Sequence, residues 1–425
     1  MDTPTRKPNR FLSHPLIRTL TELRGNPRIC VLTEPMWGLS MNLCLPYASV
    51  FMLEMGMSDT QVGIVASVYM FSQMLCAFAS GYIVDKFGRR LSTAVFDFLA
   101  WSLPCLIWMS SQGFWFFVVA ALFNGLMKIT TVSWDCLLVE DAEPTKITQI
   151  YTWVIICGNL SALFAPISSI LVSRLTLVPA VRILYINAFV VMTAKLLILY
   201  KLSTETAVGR VRREAAKSWT TKTILANYGE SIRNVRTSRG TSFAILISVL
   251  VEIIGMISVT FWQIIASRRV GIPNELLPIF PMVKSIMSIV FLFTVLGRMK
   301  QTKLKLPLFG GFISGITGCL LLIFAPGSSV LGIVILFLSL AFEALGNATL
   351  NTLRESLVAI HVRPEDRSGI MALLQTIVML ISIPFGYIGG MLSDISKALP
   401  FVMSIALLTI GLVMTAVVYK DAEGV

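Results

Sequence analysis

Charged side chains are scarce in this sequence of 425 residues. Asp, Glu, Lys and Arg make up 14% of the chain, whereas 55% of the residues are hydrophobic and the mean hydropathy is +0.78. A soluble globular protein carries about 25% charged residues, so this composition excludes that class. The sequence therefore predicts a multi-pass membrane protein whose surroundings are the lipid bilayer.

Catalytic and metal-binding motifs are also missing. The sequence contains no H-E-x-x-H pair, no G-x-S-x-G nucleophile elbow and no C-x-x-C spacing. The seven cysteines lie inside apolar stretches, where they are expected to be small core residues. The two histidines, His14 and His361, lie outside mid-membrane positions, which argues against a histidine relay. We therefore expect no enzyme, no metal and no cofactor.

The basic residues that produce the formal net charge of +12 lie mainly between apolar runs. They concentrate on one side of the predicted membrane, as the positive-inside rule describes, so we expect no nucleic-acid partner. The asymmetry predicts that both termini are cytoplasmic. We expect the protein in the plasma membrane. The polar N-terminal segment has no apolar core followed by a cleavage site, so no cleaved signal peptide is expected.

Apolar runs of membrane length form two sets of six. We predict an N-terminal bundle at 29–201 and a C-terminal bundle at 241–420, with cytoplasmic ends at 1–28 and 421–425. The linker at 202–240 contains apolar residues at helical spacing from Ile224 to Val235. This pattern predicts an amphipathic helix on the anionic inner leaflet, with a disordered tether as the alternative. The runs are 29–53, 59–83, 91–111, 114–138, 146–172, 178–200, 241–266, 273–297, 305–325, 329–357, 368–391 and 398–419.

The stretch Gly81–Arg90, GYIVDKFGRR, joins the second and third runs. Gly81 is expected to let two helix ends approach, and Gly88 to permit a sharp reversal. The pattern G-x-x-x-D-K/R-x-G-R/K-R/K resembles the signature loop of the major facilitator superfamily, and every defined position matches. The resemblance implies an all-α membrane fold of twelve helices in two six-helix bundles. It also implies a secondary transporter of a small solute that works by alternating access, and we expect a monomer.

The same resemblance implies that Asp85, Arg89 and Arg90 help to hold one conformation through contacts at the inner face. The family's exporters often carry G-x-x-x-G-P-x-x-G-G on span 5, where this sequence has Ala165-Pro166 without the trailing glycines. The departure argues against a drug–proton antiporter. We therefore expect proton-coupled uptake, with a proton-coupled exporter as the alternative and a non-transporting membrane sensor as a less favoured one.

Ionisable residues inside the runs indicate function, because a charge in hydrocarbon is costly and usually faces a partner or a water-filled cavity. Most of them lie on spans 1, 4, 7 and 10, which line the central cavity in the superfamily that the chain resembles. They are Glu34, Asp97, Lys128, Asp135, Lys195, Glu252, Lys284, Glu343, Arg354 and Glu355.

Substrate sites in such folds are expected near the midplane, between the two halves. Helical rise places one group of polar residues near that depth and a second group nearer the cytoplasmic mouth. We predict substrate binding or coupling by Asn42, Lys128, Glu252, Lys284 and Glu343, and a cytoplasmic vestibule formed by Glu34, Asp135, Arg354 and Glu355.

Several of these residues have structural alternatives. Lys284 could pair with Glu252 as a structural ion pair, and Lys128 could pair with Glu343 across the halves as a gate. Lys195 could snorkel to the inner end of span 6. Asp97 is expected to brace spans 2 to 4.

The predicted coupling ion is a proton, carried by Glu252 or Glu343. Two cavity cations among several acids favour a polar, anionic or zwitterionic solute. A sugar is the alternative, stacked on aromatic side chains such as Trp37, Tyr47, Trp153 and Trp262.

Overall fold

The computed structural model describes residues 21–217, 239–294, 304–327, 329–361 and 367–417, and these residues form helices and no strands. Twelve helical segments among them are long and apolar enough to cross a membrane, as the sequence predicts. We number them spans 1 to 12: Gly25–Glu54, Asp59–Phe87, Arg89–Met109, Phe114–Val139, Pro144–Leu175, Leu177–Leu202, Phe243–Arg268, Asn274–Phe291, Lys305–Phe324, Val330–Arg354, Leu374–Ile395 and Leu399–Val417.

Some spans are interrupted where the sequence weakens the helix. Span 1 changes to a tight 3-10 turn at Leu45–Tyr47, where Pro46 cannot donate a backbone hydrogen bond. Span 3 contains one wide π-helical turn at Phe98–Ser102. Span 4 is built from the helices Phe114–Gly125 and Met127–Val139. These breaks lie beside the residues that form the sites described below.

The predicted hairpin at Gly81–Arg90 is reduced to a single residue. The helix of span 2 continues to Phe87 and the helix of span 3 begins at Arg89, so Gly88 alone makes the reversal, with φ +86°. The expected close helix approach at Gly81 is wrong, because a Cβ there would meet no heavy atom within 4 Å.

The two halves are joined tightly at the end of the bundle where span 1 ends and span 2 begins, which we call the closed end. Span 2 packs against span 11 with backbone contact between Gly63 and Gly386, too close for a Cβ at either position. The Asp394 carboxylate accepts hydrogen bonds from the backbone N–H groups of Asp59 and Thr60, each at 3.0 Å. Span 11 therefore caps the first turn of span 2.

Ion pairs strengthen the closed end. Lys397 Nζ lies 2.7 Å from the buried Asp59 carboxylate, which also accepts from Ser393. Arg268 pairs with Glu54 at 2.7 Å, joining span 7 to span 1. Further into the bundle, Ser285 of span 8 donates to the backbone oxygen of Asn159 in span 5, at 2.8 Å.

The linker begins with a short helix, Ala207–Ala216, whose first turn is capped by the Thr206 hydroxyl accepting from Gly209 N–H. The predicted amphipathic helix at Ile224–Val235 lies outside the described residues. The same holds for 1–20 and 418–425, so the predicted terminal segments and the domain boundaries stay predictions.

Candidate functional site

A polar cluster lies between spans 7, 8 and 10 in the C-terminal half. Glu343 is buried, and its Oε1 atom accepts a hydrogen bond from the Ser258 hydroxyl. Lys284 Nζ lies 3.4 Å from the same oxygen and 3.5 Å from Ser258 Oγ. The Lys284 side chain is 33% exposed and the Glu343 side chain 8%. The carboxylate is therefore held inside the bundle, whereas part of the lysine side chain borders open space.

The sequence predicted the wrong partners for two ion pairs. Lys284 pairs with Glu343, not with Glu252, and Lys128 does not pair with Glu343. Glu252 lies six residues before Ser258 on span 7, about 9 Å along the helix axis, so it occupies a different level from the cluster. Sequence spacing alone does not show which turn of span 7 faces span 8.

Glu252 instead forms an ion pair with Arg354 of span 10, at 3.1 Å, and both side chains are partly exposed. Lys128 of span 4 interacts electrostatically with both members of this pair. The break in span 4 after Gly125, which packs against Ser72, positions the turn that carries Lys128. Lys128 thus faces the C-terminal half without an ion pair among the side chains that the structure describes.

Asn42 lies in span 1, and its Nδ2 donates to the Gly38 carbonyl one turn earlier at 2.7 Å. The close contact of Gly38 with Ser161 holds this part of span 1 against span 5. The half-buried Asn42 therefore leaves its amide oxygen as the group that a solute could use.

The predicted vestibule residues divide between two places. Glu34 and Asp135 are half-buried, and Glu34 interacts electrostatically with Asp135 and also with Lys195 and Asp97 in the N-terminal half. Arg354 belongs with Glu252 instead, as described above. The side chain of Glu355 lies outside the described residues.

Lys195 does not snorkel, and Asp97 does not brace spans 2 to 4. The two residues form an ion pair at 3.5 Å between spans 6 and 3, each with 5% of its side chain exposed. The sequence interpretation failed because Lys195 lies more than one turn from the end of span 6, and an acid on span 3 offers a nearer partner than the interface.

The signature residues form a network inside the N-terminal half. The buried Arg89 pairs with Asp85 at 2.7 Å and with Glu140, the residue that follows span 4, at 3.1 Å. The Glu205 carboxylate accepts from the backbone N–H of Arg89 at 2.9 Å and of Arg90 at 3.2 Å. It therefore caps the N-terminus of span 3.

Arg90 extends the network to the end of span 6, where its guanidinium donates to the Tyr200 carbonyl at 2.7 Å and stacks on the Tyr200 ring. Sequence reasoning missed Glu140, Glu205 and Ser258. Glu140 and Glu205 follow the ends of spans, where acidic residues are common. An acidic residue next to a basic loop could still have been predicted to pair with that loop. Ser258 carries no signal in an apolar run.

The comparisons with known proteins agree with this architecture. The family model described as Major Facilitator Superfamily matches residues 36–380. No curated protein matches the sequence. Three solved structures illustrate the similarity in fold, at 12–15% sequence identity.

A mutant of the nucleoside transporter NupG has a TM-score of 0.71 and 15% identity, covering 92% of this chain and 99% of its own. The xylose transporter XylE from E. coli, in an inward-open conformation, has a TM-score of 0.68 and 12% identity, with coverages of 93% and 96%. A mutant of the peptide transporter POT bound to alafosfalin has a TM-score of 0.66 and 15% identity, covering 97% of each chain.

The family match extends over most of the chain, and the structural neighbours share its fold along nearly their whole lengths. The chain therefore belongs to the major facilitator superfamily and is a multi-pass membrane transporter, not an enzyme.

Proposed function

We propose that the protein couples proton movement to the uptake of a small anionic or zwitterionic solute, as a monomer in the plasma membrane. The proposed site comprises Asn42, Lys128, Glu252, Lys284 and Glu343. One observation carries the proposal: Lys284 is one-third exposed while its partner Glu343 is buried. A lysine that is paired with a buried acid and also borders a cavity can bind a solute carboxylate or phosphate through its ammonium group.

The same arrangement supplies a coupling device. A proton on Glu343 removes the charge that holds Lys284, so the ammonium group becomes available to an anion. Loss of that proton restores the pair and displaces the anion. Glu252 is the second carrier that we consider, because its pair with Arg354 lies beside Lys128 of the opposite half.

The closed end lies opposite the signature network. With the orientation that the basic residues predict, closure at this end corresponds to an inward-facing state. The polar side chains of Thr131 and Asn351 are exposed within spans 4 and 10, which supports a water-filled cavity between the halves. We infer that the signature network stabilises the N-terminal half during the conformational change.

Proteoliposomes with a pH-sensitive dye inside test the proposal. Organic anions, amino acids, sugars and lipophilic cations are added outside in turn, without an imposed proton gradient and with the voltage clamped by potassium and valinomycin. Internal acidification that follows one solute indicates symport, whereas internal alkalinisation indicates the export antiporter that we keep as the alternative. If a solute is taken up and no protons move with it, the proposed proton coupling is contradicted.

Variants identify the carrier. Glu343→Gln is expected to retain solute exchange and to lose solute-driven proton movement, with Glu252→Gln examined in parallel. The matched control is Glu214→Gln, since Glu214 is exposed on the linker helix and pairs only with Lys217 in the described part of the chain. Unchanged proton movement in both cavity variants would contradict the proposed carriers.

A further inference from the structure

An apolar chamber of about 200 Å³ lies inside the N-terminal half, walled by spans 1, 2, 3, 4 and 6 and closed on one side by span 7. Five aromatic side chains contribute to its wall, together with aliphatic and small residues: Tyr69, Trp101, Trp108, Phe117 and Tyr185. Voids larger than a water molecule are few in a packed protein. An apolar cavity of roughly 150 Å³ stays dry and accepts benzene. This chamber is therefore large enough for one aromatic ring with a short substituent.

The wide turn of span 3 shapes the chamber. The π-helical segment Phe98–Ser102 carries Trp101 to the chamber wall, where the ring meets Trp37 edge to face at 5.4 Å. Asn124 of span 4 donates its Nδ2 to the Ala100 carbonyl within that segment, at 2.7 Å. Such turns are frequent at functional sites. Since Asn124 also lines the chamber, its amide oxygen remains as an acceptor for an N–H or hydroxyl on a ring.

The rest of the wall is held rigidly. Trp108 packs edge to face against Phe117 at 4.8 Å between centroids and stacks on Tyr185 at 5.0 Å. Flat rings match such a wall better than saturated rings, because aromatic pairs gain energy from edge-to-face and offset contacts. A sugar fits poorly, since its hydroxyl groups would lose water without enough partners on this wall.

The chamber lies at about the depth of the proposed charged site. Val259 and Thr260 of span 7 line it, and Ser258, the partner of Glu343, is the preceding residue on the same helix, so the chamber and the charged cluster contact different sides of one turn of span 7. Val259 is 68% exposed, so the chamber communicates with open space where span 7 meets the N-terminal half. On the span 4 side, Tyr69 donates its hydroxyl to Met127 Sδ at 2.8 Å, next to Lys128.

We propose that this chamber is a subsite for the aromatic ring of the solute, whose anionic group binds at Lys284, with Lys128 as a second positive charge at the level of Glu252. The inference rests on the proposed function and narrows the solute class to small aromatic anions or zwitterions. It assigns recognition of the ring to the N-terminal half and recognition of the charge to both halves.

A pair of matched probes tests the ring preference. 3-Phenylpropionate and 3-cyclohexylpropionate carry the same acid and chain and differ only in the ring. Binding to the purified full-length protein in detergent is measured by calorimetry and by tryptophan emission, since Trp101 and Trp108 line the chamber. We expect saturable binding of the phenyl probe, about threefold to tenfold tighter than that of the cyclohexyl probe. Equal binding of the two probes overturns the inference. So does the absence of saturable binding of either probe, which is the result expected if the chamber takes up only detergent or lipid.

Substitutions locate the ring. Ala66→Leu adds bulk to the chamber wall and is expected to weaken phenylpropionate binding at least tenfold. Ala77→Leu, three turns further along the same span and outside the chamber, is the matched control and should bind normally. Met52→Ala enlarges the chamber and is expected to admit 3-(1-naphthyl)propionate, a gain that misfolding cannot produce. Equal binding by the Ala66 and Ala77 variants contradicts the assignment.

These binding measurements do not depend on transport activity. If the ring preference is found and no proton-coupled transport is seen, the chamber remains and the proposed coupling fails. If an anion is transported without any ring preference, the proposed function remains and the chamber assignment fails.

Discussion

The Asp97–Lys195 pair and the Lys284–Glu343 pair both lie within the helical bundle, but their surroundings differ. In the first pair each side chain is 5% exposed, and in the second the lysine is 33% exposed. A fully buried pair cannot lose one partner without leaving a charge in the core, so it holds spans 3 and 6 in one arrangement. A pair that borders open space can exchange its partner for a solute or a proton. The comparison separates charged side chains that stabilise the N-terminal half from charged side chains that are positioned to bind a solute or a proton.

The largest effect is expected from breaking the buried pair. Asp97→Asn removes the ion-pair partner of Lys195, leaves only the more distant Glu34 as an opposite charge, and should lower the free energy of unfolding by about 3–5 kcal/mol. Denaturant unfolding in detergent measures this loss. The double variant Asp97→Asn with Lys195→Met should recover most of the stability, because the ammonium group that lost its ion-pair partner is then removed from the core. A double variant no more stable than the single one would contradict this account.

The next effect concerns the reversal at Gly88. Gly88→Ala forces a side chain into positive φ, with its Cβ 2.5 Å from Glu205 Oε2, and should lower stability by about 1–3 kcal/mol. Gly81→Ala is the control, since its Cβ meets no heavy atom within 4 Å and helical Gly→Ala changes are neutral or stabilising. Equal losses in both variants would show that the network around Arg89 does not depend on this turn.

Removing the exposed member of the second pair should separate stability from function. Lys284→Met is expected to lower the free energy of unfolding by about 1–3 kcal/mol, less than Asp97→Asn, because Ser258 still donates to the buried Glu343 carboxylate, which can also bind a proton. Solute flux should fall at least tenfold if Lys284 binds the anion. Flux at the wild-type rate, measured in the proteoliposome assay, would place Lys284 among the structural ions with Lys195.

A smaller effect on stability is expected from the cap at the closed end, and this effect can also be measured as a change of conformation. Asp394→Ala removes the acceptor for two backbone N–H groups of span 2, at about 1 kcal/mol, and should raise the population opened at that end roughly fivefold. Spin labels at Gln112→Cys and Leu276→Cys report the separation of the halves. An unchanged distance distribution would show that glycine packing between spans 2 and 11 closes this end without the cap.

The smallest effect is expected at the linker helix. The hydrogen bond from Lys217 lowers the pKa of Glu214, so any stabilisation exists above the usual pKa of the acid and is lost as the pH falls. Because the pair is fully exposed, Glu214→Gln should leave the melting temperature unchanged at pH 7 and pH 4. A shift at pH 7 that disappears at pH 4 would reveal a contact of Glu214 beyond Lys217.

Much of the candidate site could be named from the sequence, because charges are rare in apolar runs and each one stands out. Their pairing could not. Lys284 has acids within reach of its span on two neighbouring helices, and the choice of Glu343 over Glu252 depends on the rotation of span 7 about its axis. The aromatic chamber had no sequence signal, since its rings come from four spans and are ordinary residues of a membrane helix.

The sequence by itself determined the membrane class, the number of spans and the family, because hydrophobic length and the Gly81–Arg90 pattern are local properties of the chain. Tertiary structure alone decided which ions are buried, which end of the bundle is closed and where a ring-sized space remains. Those features arise from contacts between residues far apart in the chain, such as Asp59 with Lys397, and helix packing sets them to within a fraction of a turn.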